Sequence, residues 1–352
     1  MIVTVTLNPA LDLTYEVDAL VPHGTHRVTT VAERPGGKGL NVAAVLHALG
    51  EPVLATGLLG GPTGDRVTGL LAGAGVPAGF VTIAGETRRT VAVADRDDAT
   101  GFWEPGPRVT AGEWAAFIDH FGGLLAGASV VALSGSLPPG VPIDGYATLI
   151  RLAAAAGVPT VLDTSGEALR HGLAAGPDLA KPNAAELAAL LAAPRPVAAA
   201  TRDASQPVRA ATGDTSRPVV AADRDASRTG LAGPPGGTPA APGRREVADA
   251  TVALDHGARA VVVSHGPRGL LALTGQGAWR GVPPERLAGN PTGAGDACVA
   301  ALARGLRDRT PWPHLLADAT ALSAAAVAAP LAGRVDEDTY RRLLTAVRVS
   351  AA

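Results

Sequence analysis

The chain has 352 residues, of which 47% are apolar, and its formal net charge at pH 7 is only −2. That length fits one large α/β domain or two ordinary ones, and the charge argues against partners such as nucleic acid or a membrane surface. The single cysteine, Cys298, excludes an internal disulfide and a cysteine-rich metal site. Residues 1–7 lack a secretory signal and no apolar run reaches the ~20 residues of a membrane span, so we expect a cytoplasmic protein.

The first third of the chain mixes buried and half-exposed strands with helices. After a buried strand at 2–7, alternating apolar and polar side chains predict half-exposed strands over 11–17 and within 25–32. These are followed by a helix over 41–49, a strand over 53–58, a helix over 65–72 and an edge hairpin formed by 90–94 and 101–103. The half-exposed strands therefore look inserted after the first core strand.

From Thr110 onward strands and helices alternate. Thr110 and Glu113 form a capping-box pattern that opens a helix. Short apolar strands are predicted at 129–133, 160–163, 178–180, 260–264 and 270–273, with helices up to 156, near 166–173, from 183, over 247–256 and three times near the C-terminus. This alternation indicates an α/β fold with a mostly parallel sheet, whose ligands bind beyond the carboxyl ends of the strands.

Residues 194–243 break this alternation. They are rich in Pro, Gly, Ala, Arg, Asp and Ser, and they repeat a short motif imperfectly from Ala200, Ala211 and Ala222. Such a segment cannot bury enough surface to offset its ordering entropy, which predicts a disordered low-complexity insert within a single domain spanning 1–352. A regulatory role is one interpretation, and a tolerated surface insertion is the plainer one.

The stretch Thr292-Gly-Ala-Gly-Asp296 opens a predicted apolar helix. Glycine at 293 and 295 lets several backbone N–H groups point the same way, at a helix start that attracts anions. Asp296 lies in the first helical turn, where we expect it to stay ionised. An anion cradle beside a carboxylate suits phosphoryl transfer, because the carboxylate can accept the proton of an attacking hydroxyl. A glycine-rich loop capped by aspartate is the alternative.

Lysine is rare in this chain. Of the 30 Lys and Arg residues only Lys38 and Lys181 are lysine, and both lie in loops marked by glycine or proline. We interpret them as positions where a planar guanidinium does not fit. Gly36-Gly-Lys-Gly39 resembles a phosphate loop but not a Walker A motif, and the chain lacks the G-x-G-x-x-G fingerprint of a Rossmann dehydrogenase.

Asn183-Ala-Ala-Glu186 has two interpretations. Asn183 followed by Glu186 at the third helical position is a capping box. Alternatively, this pair steers a hydrated Mg²⁺ beside nucleotide phosphates, since magnesium commonly keeps several waters and uses few protein groups.

Four motifs occur together in the order and spacing of the ribokinase-like (PfkB) sugar kinases: Gly36-Gly-Lys-Gly-Leu-Asn41, Lys181-Pro-Asn-Ala-Ala-Glu186, Ser264-His-Gly266 and Thr292-Gly-Ala-Gly-Asp296. Three more resemble the branch of 1-phosphofructokinases, tagatose-6-phosphate kinases and minor 6-phosphofructokinases: Leu7-Asn-Pro-Ala-Leu-Asp12, Glu86-Thr-Arg88 and Ser134-Gly-Ser-Leu-Pro-Pro-Gly140. The resemblance covers nearly the whole chain outside 194–243. It implies a three-layer α/β/α sandwich with a mostly parallel sheet and a small β-lid, formed by about 11–35 and 88–108.

The resemblance also implies a role for each matching residue. Asp296 would be the catalytic base, with Gly293, Ala294 and Gly295 as an anion hole. The substrate would meet Asp12, Gly37, Lys38, Asn41, Arg88 and Ser134, with Arg88 reaching a substrate phosphate. ATP would meet Lys181, Asn183, Glu186, Ser264, Gly266, Gly293 and Gly295, with Asn183 and Glu186 steering Mg²⁺. The β-lid would close to exclude water and would join two copies into a homodimer.

Some residues depart from the family pattern. Asn290-Pro291 replaces the commoner Asp-Thr before the anion hole, and a similar Asn-Pro occurs among tagatose-6-phosphate kinases. His265 replaces an apolar neighbour and is expected to be a plain loop residue, while Cys298 is expected to be a small buried helix residue.

The function implied by the resemblance is an ATP- and Mg²⁺-dependent kinase that converts a ketohexose phosphate into a bisphosphate. Fructose 1-phosphate is the first choice of acceptor, followed by tagatose 6-phosphate and fructose 6-phosphate. A catalytically silent sugar-phosphate sensor on the same fold is the alternative from another class. The presence of Asp296 argues against that sensor, because a binding protein has no need of a base.

Overall fold

A ten-stranded sheet lies at the centre of the computed structural model, which describes residues 1–96, 98–192 and 244–352. The strands are Ile2–Thr6 (β1), Ala10–Glu16 (β2), Thr30–Gly36 (β3), Val53–Leu59 (β4), Ala78–Thr82 (β5), Arg88–Ala94 (β6), Ala99–Trp103 (β7), Val130–Ser134 (β8), Thr160–Asp163 (β9), Leu179–Ala180 (β10), Ala260–Ser264 (β11), Leu270–Thr274 (β12), Gly277–Val282 (β13) and Arg348–Ala351 (β14). The helices are Lys38–Ala48 (α1), Gly61–Gly73 (α2), Ala111–Leu125 (α3), Gly145–Ala155 (α4), Gly166–Ala174 (α5), Ala184–Ala192 (α6), Arg244–Asp255 (α7), Ala294–Arg307 (α8), Trp312–Ala328 (α9) and Glu337–Ala346 (α10).

Seven neighbouring strands of the large sheet are parallel, in the order β5-β4-β1-β8-β9-β10-β11. Strands β12, β13 and β14 continue the sheet in antiparallel fashion. Strand β1 is an interior strand of the parallel part, where Ile2 lies between Val53 of β4 and Val130 of β8. The predicted mostly parallel sheet is therefore confirmed.

Each face of this sheet is covered by helices. Successive strand residues point to opposite faces, so the buried strands supply two separate cores. Ile2 and Val130 pack with apolar side chains of α1, α8 and α9 on one side. Val3 and Val131, the next residue along each strand, pack with side chains of α3 to α7 on the other. These layers form the expected three-layer α/β/α sandwich.

A separate four-stranded sheet has the order β3-β2-β6-β7. Strand β2 pairs with β3 in antiparallel fashion and with β6 in parallel, which places Asp12 between Arg34 and Thr90. Leu11 and Leu13 of β2 are buried in the same core as side chains of α2. This sheet is formed by the segments predicted as a β-lid; that it closes over a ligand stays a prediction.

The structure differs from the expected elements in several places. Strands β5, β13 and β14 are not predicted, since β13 carries two glycines and an arginine and β14 is a short edge strand. The strand expected within 25–32 lies instead at Thr30–Gly36, because its register is set by pairing with β2. The predicted insert, 194–243, lies outside the described residues. No helix in the described part of the chain is long and apolar enough to cross a membrane.

Candidate active site

Polar side chains gather where the parallel strands of the large sheet end. Ser134 and Asp163 are the last residues of β8 and β9 and lie opposite each other, and Lys181 follows β10 directly. The carboxyl ends of parallel strands lie along one edge, which brings these distant residues together. The Oγ atom of Ser134 is buried and has no hydrogen-bond partner among the described residues. An unpartnered hydroxyl at this edge is available to a ligand.

Asp163 holds both lysines of the chain. Its Oδ1 atom lies 3.2 Å from Nζ of Lys181 and 3.4 Å from Nζ of Lys38. Burial opposes ionisation of Asp163, but the two ammonium groups outweigh it and hold the pKa of this carboxyl below its usual value. Asp163 in turn raises the pKa of Lys38, and it keeps the pKa of Lys181 above its usual value although burial opposes this. The three groups are therefore charged at neutral pH.

Asp163 is absent from the site residues that the sequence predicts. The signal that could have identified it is its position: a carboxylate at the carboxyl end of a predicted parallel strand, 160–163. Both lysines lie in loops marked by glycine or proline, but nothing in the sequence links them to a shared carboxylate.

Asp296 lies in the first turn of α8 and is only 6% exposed. Its Oδ2 atom accepts a 2.8 Å hydrogen bond from Nδ2 of Asn41. Burial, and then the charge of Asp163, raise the pKa of Asp296 to about 6, while Lys38, Asn41 and Lys181 act in the opposite direction. A pKa of about 6 leaves Asp296 ionised at pH 7, but burial places this pKa well above that of an ordinary carboxyl, which the position in the helix start alone does not predict. A pKa near the working pH suits a general base.

The start of α8 is open to an anion. Gly293 precedes the helix with a φ of 90°, and no side chain of the described residues caps it, whereas Thr110 caps α3. A β-carbon at Gly293 would lie 2.7 Å from the Cβ of Ala332, so only glycine fits this turn. A β-carbon at Gly295 would lie 3.6 Å from Nζ of Lys181, which places that ammonium beside the helix start. Helix N–H groups and an ammonium thus converge on one place.

The turn before α8 is held by its own polar groups. Asn290 accepts a 2.9 Å hydrogen bond from the N–H of Thr292 through its side-chain oxygen. The N–H of Ala294 donates to the carbonyl of Pro291 at 3.2 Å, so this predicted member of the anion hole has a partner within the turn. Asn290-Pro291 therefore forms an ordered turn in place of the commoner residues.

Asp12 of the small sheet has a partner that the sequence does not reveal. Nη2 of Arg34 lies 2.6 Å from Oδ2 of Asp12. Burial raises the pKa of Asp12, although Arg34 and Arg88 act against it. A β-carbon at Gly36 would overlap the Asp12 carboxylate, so this glycine makes room for it. Arg34 is missed because the predicted strand ends at 32; continuing the alternation would have placed Arg34 opposite Asp12.

Arg88 and the substrate loop lie close to this carboxylate. Arg88 donates from Nε to the carbonyl of Asn8 and from Nη1 to the carbonyl of Glu104, both at 3.2 Å. Gly37 has a φ of 114° and precedes α1, and its carbonyl accepts a 3.0 Å bond from the N–H of Asn41. Arg88 acts on the charge of Asp12 and Gly36 lies against the Asp12 carboxylate, so Arg88 and the start of the substrate loop lie beside this carboxylate.

Asn183 and Glu186 form a reciprocal capping box at the start of α6. The N–H of Asn183 donates to Oε2 of Glu186, and the N–H of Glu186 donates to Oδ1 of Asn183, each at 2.8 Å. The other oxygen of Glu186, Oε1, lies 3.8 Å from Nζ of Lys38. No group of three or more His, Cys, Asp or Glu in the described ranges could hold a metal ion by itself.

Ser264 and Gly266 lie at the end of β11. Ser264 forms a bridge with Asn183, which links this loop to the start of α6, and Gly266 begins a short turn with a φ of 57°. Between them, the His265 side chain is buried 3.8 Å from Glu246 of α7, and burial lowers its pKa. His265 is therefore an interior residue as well as a loop residue. Cys298 is buried as expected, and burial raises the pKa of its thiol to about 12.

A sequence profile identifies the kinase family to which this fold and the charged cluster at the strand ends belong. The sequence profile of the pfkB family carbohydrate kinases matches residues 5–220 and 232–339. The chain therefore belongs to the PfkB family of carbohydrate kinases, as its motifs suggested.

Solved structures of the same fold agree. Phosphofructokinase-2 from Escherichia coli in complex with fructose-6-phosphate is 28% identical, with a TM-score of 0.78 over 98% of each chain. A possible 1-phosphofructokinase from Thermotoga maritima is 23% identical, with a TM-score of 0.76 over 100% of this chain and 99% of the other. Arabidopsis thaliana ribokinase with ribose and ATP is 19% identical, with a TM-score of 0.68 over 97% and 98%. The ribokinase-like fold is thereby confirmed.

Proposed function

We propose that this carbohydrate kinase transfers the terminal phosphoryl group of ATP to a hydroxyl of a ketohexose phosphate, giving a bisphosphate. Fructose 1-phosphate is the acceptor that we put first. The observation that carries the proposal is the Asp296 carboxylate, which is buried beside the open start of α8 and has a pKa of about 6. A base of this pKa next to an anion site is what phosphoryl transfer to an alcohol requires.

Two parts of the site act in the proposed reaction: the base, Asp296, and the anion site at the start of α8. Asp296 accepts the proton of the acceptor hydroxyl while that oxygen forms a bond to the terminal phosphorus and the bond to the ADP oxygen breaks. The N–H groups of Gly293 and Gly295 at the start of α8, together with the ammonium of Lys181, stabilise the charge on the transferred group, while Ala294 holds the turn between them through its hydrogen bond to Pro291. Burial of Asp296 keeps bulk water away from the base.

The acceptor side is assigned to residues on the small sheet and at the start of α1. Asp12 supplies the carboxylate that binds sugar hydroxyls, and Gly37, Lys38 and Asn41 contact the same acceptor. Arg88 motivates the phosphorylated acceptor, because a guanidinium fork matches phosphate oxygens and the hydrogen bonds of this one go to the backbone carbonyl groups of Asn8 and Glu104.

The nucleotide side is assigned to the loops after β10 and β11, with Ser264 and Gly266 beside ATP. The residues present fit a magnesium ion that keeps most of its waters, because Oε1 of Glu186 is not used by the capping box and Oδ2 of Asp163 is buried without a hydrogen-bond partner among the described residues. Asn183 orients Glu186 through the capping box. Magnesium would neutralise phosphate charge during transfer.

The test is ADP release with ATP and Mg²⁺ and one acceptor at a time: fructose 1-phosphate, tagatose 6-phosphate, fructose 6-phosphate and the free ketohexoses. The proposal predicts turnover on a ketohexose phosphate and little on free sugars. Arg88→Ala should weaken the phosphorylated acceptor by about 10-fold or more and leave a free sugar unchanged. Arg89→Ala is the matched control, since Arg89 is an exposed neighbour paired with Glu104. Equal weakening of both acceptors by Arg88→Ala would contradict the phosphate assignment.

Fructose 6-phosphate, third in the order that the motifs suggest, is the other acceptor that a structural comparison favours. It is the ligand of the E. coli phosphofructokinase-2 structure, which is 28% identical to this chain. The same panel separates it from fructose 1-phosphate and tagatose 6-phosphate by comparison of kcat/KM. Absence of turnover on every sugar phosphate, with retained binding, would favour the silent sensor.

A homodimer joined by the small sheet is also proposed. This sheet exposes Val31, Phe102 and Trp103, with Trp103 62% accessible. Exposed aromatic side chains on a sheet are typical of surfaces that pack against a partner, and a tetrameric form of phosphofructokinase-2 is known from E. coli. Sedimentation should show a dimer that Trp103→Ser weakens; a wild-type monomer at micromolar concentration would contradict this.

The cytoplasmic location stays a prediction.

A further inference from the structure

Two neighbouring residues of β3 point to opposite sides of the small sheet. Glu33 pairs with Arg66 of α2, with 2.7 Å between Oε2 and Nε, on an exposed surface. Arg34 points the other way, where its side chain is 25% exposed and reaches three acceptors on three different segments. The first pair is an ordinary surface ion pair, whereas the second residue enters the proposed site.

The three acceptors of Arg34 connect the small sheet to the body of the enzyme. Nη2 donates to Oδ2 of Asp12 at 2.6 Å. Nη1 donates to the backbone carbonyl of Ala332 at 2.7 Å and, more weakly, to Oδ1 of Asn41 at 3.4 Å. The Ala332 segment also packs against Gly293, since a β-carbon there would lie 2.7 Å from the Ala332 Cβ. One guanidinium therefore contacts the acceptor carboxylate, the substrate loop and the wall of the anion site.

The contact with Asn41 fixes which way its amide points. A guanidinium has donors only, so the oxygen of the Asn41 amide must face Arg34. The nitrogen of that amide then faces Asp296, and it does donate to Oδ2 at 2.8 Å. If the amide were reversed, its oxygen would face the Asp296 carboxylate and its nitrogen would face the guanidinium, and both contacts would be repulsive. Arg34 and Asp296 therefore require the same orientation of the Asn41 amide, and Arg34 stabilises the one in which Asn41 supports the base.

We propose that Arg34 is a positioning residue that sets the acceptor carboxylate, Asp12, and the catalytic base, Asp296, through a single chain of hydrogen bonds. The chain runs from Asp12 to Arg34, from Arg34 to Asn41, and from Asn41 to Asp296. The inference rests on the proposed function, because it assigns both carboxylates to the phosphoryl-transfer reaction. Arg34 itself acts through Asn41 and Asp12.

The ionised base has few other neighbours that could replace this contact. The charged groups that act on Asp296 are Asp163, which disfavours its charge, and Lys38 and Lys181, which favour it. Both lysines are already shared with Asp163. Among the described residues Asn41 gives Asp296 its one side-chain hydrogen bond, so loss of the oriented amide removes that donor and the pKa of Asp296 should rise.

The test compares Arg34→Ala, Arg34→Lys and the control Arg66→Ala, using the best acceptor of the wild type. Arg34→Ala should lower kcat by about 10- to 100-fold, as expected for lost hydrogen bonds to charged groups. The acidic limb of kcat/KM against pH should move up by about one unit. Arg34→Lys should recover little, because a single ammonium cannot reach three acceptors in fixed directions. Arg66→Ala removes the ion pair with Glu33 and should change neither kcat nor the position of the acidic limb.

Added guanidinium ion supplies the decisive comparison for Arg34→Ala. Low millimolar guanidinium should restore part of kcat with saturation and move the acidic limb back, whereas equal sodium chloride should not. A lower melting temperature with an unmoved limb and no rescue would reduce Arg34 to a structural role and overturn the inference. Should Arg34→Ala fail to fold, the acidic limb of kcat/KM against pH in Arg34→Lys distinguishes a positioning role from a structural one.

The failure of this inference can be told apart from failure of the proposed function. If the wild type turns over no acceptor, the function is wrong whatever Arg34 does. The pKa of Asp296 can then still be followed by carbon NMR of its carboxyl group in the wild type and in Arg34→Lys. Equal pKa values in the two proteins would reject the hydrogen-bonded chain on its own.

Discussion

Lys38 and Lys181, the two lysines of the chain, direct their ammonium groups at one carboxylate oxygen, Oδ1 of Asp163, at 3.4 and 3.2 Å. The side chain of Lys181 is 4% exposed, whereas that of Lys38 is 40% exposed. Two positive charges thus share a single buried countercharge beside the start of α8. Glu186 also lies 3.8 Å from Lys38, and Asp296 adds a further carboxylate, so the two ammonium groups offset negative charge where the phosphates of ATP are proposed to bind.

Asp163→Asn is expected to destabilise the fold. The substitution leaves the buried Lys181 ammonium without a carboxylate partner, and breaking a buried pair in this way typically lowers the free energy of unfolding by about 3–5 kcal/mol. Urea unfolding at pH 7.5 measures this difference. Asp18→Asn is the control, because Asp18 pairs with Arg96 where both side chains are at least 80% exposed, and it should cost less than about 1 kcal/mol. Equal effects of the two substitutions would show that the shared carboxylate is unimportant for stability.

Replacing the lysines by arginine should affect the two positions unequally. Lys181→Arg forces a planar guanidinium into a buried space beside Gly295, and overpacking of this kind costs about 1–3 kcal/mol. Lys38→Arg should cost less stability, because that side chain is partly exposed. Thermal unfolding and ADP release on both variants test this order. An intact, active Lys181→Arg enzyme would contradict the idea that arginine does not fit there.

The activity should depend on pH through Asp296. Its pKa is raised to about 6 by burial and by Asp163, so the base form is present above pH 6 and is lost as the pH falls through that value. We expect kcat/KM to fall about tenfold per pH unit below this midpoint. A profile recorded from pH 5 to 8 in buffers of constant ionic strength gives the midpoint. A midpoint near 4, the value of an ordinary carboxyl, would show that burial does not control this group.

The same shift predicts that Asp296 lowers stability at neutral pH. The folded state holds the proton of Asp296 more tightly than the unfolded chain, whose ordinary value is 3.8. Ionisation therefore costs folding free energy as the pH rises from about 4 to 6, up to roughly 3 kcal/mol above that window. Asp296→Asn should accordingly unfold at higher urea than the wild type at pH 7.5, and the gain should vanish near pH 4. A variant less stable than the wild type at pH 7.5 would contradict the direction of the shift.

Much of the fold follows from local patterns. Apolar strands such as 260–264 and the capping box at Thr110 and Glu113 predict elements that the structure contains, because burial and helix capping are local properties. The weakly apolar edge strand β14 and the glycine-containing β13 escape prediction, since they exist only by pairing with neighbours.

The candidate site was predictable where one motif carries its own chemistry. The glycines and aspartate of 292–296 suit an anion site and a base, and the other family motifs are what favour this interpretation over a plain capped loop. Asp163 and Arg34 were not predictable in this way, because their roles depend on partners far away in sequence, such as Lys38 and Asn41. The raised pKa of Asp296 also depends on burial, which a local reading of its helix position cannot supply.

The most direct test of the whole account is to compare turnover and binding in Asp296→Asn, using ATP, Mg²⁺ and the best ketohexose phosphate. The account predicts a loss of kcat of about 10²- to 10⁴-fold, as for removal of a general base, with the acceptor dissociation constant from calorimetry nearly unchanged. Asp308→Asn, at the far end of the same helix, should keep full activity. Undiminished turnover in Asp296→Asn would contradict the account, because the buried carboxylate would then not be the base.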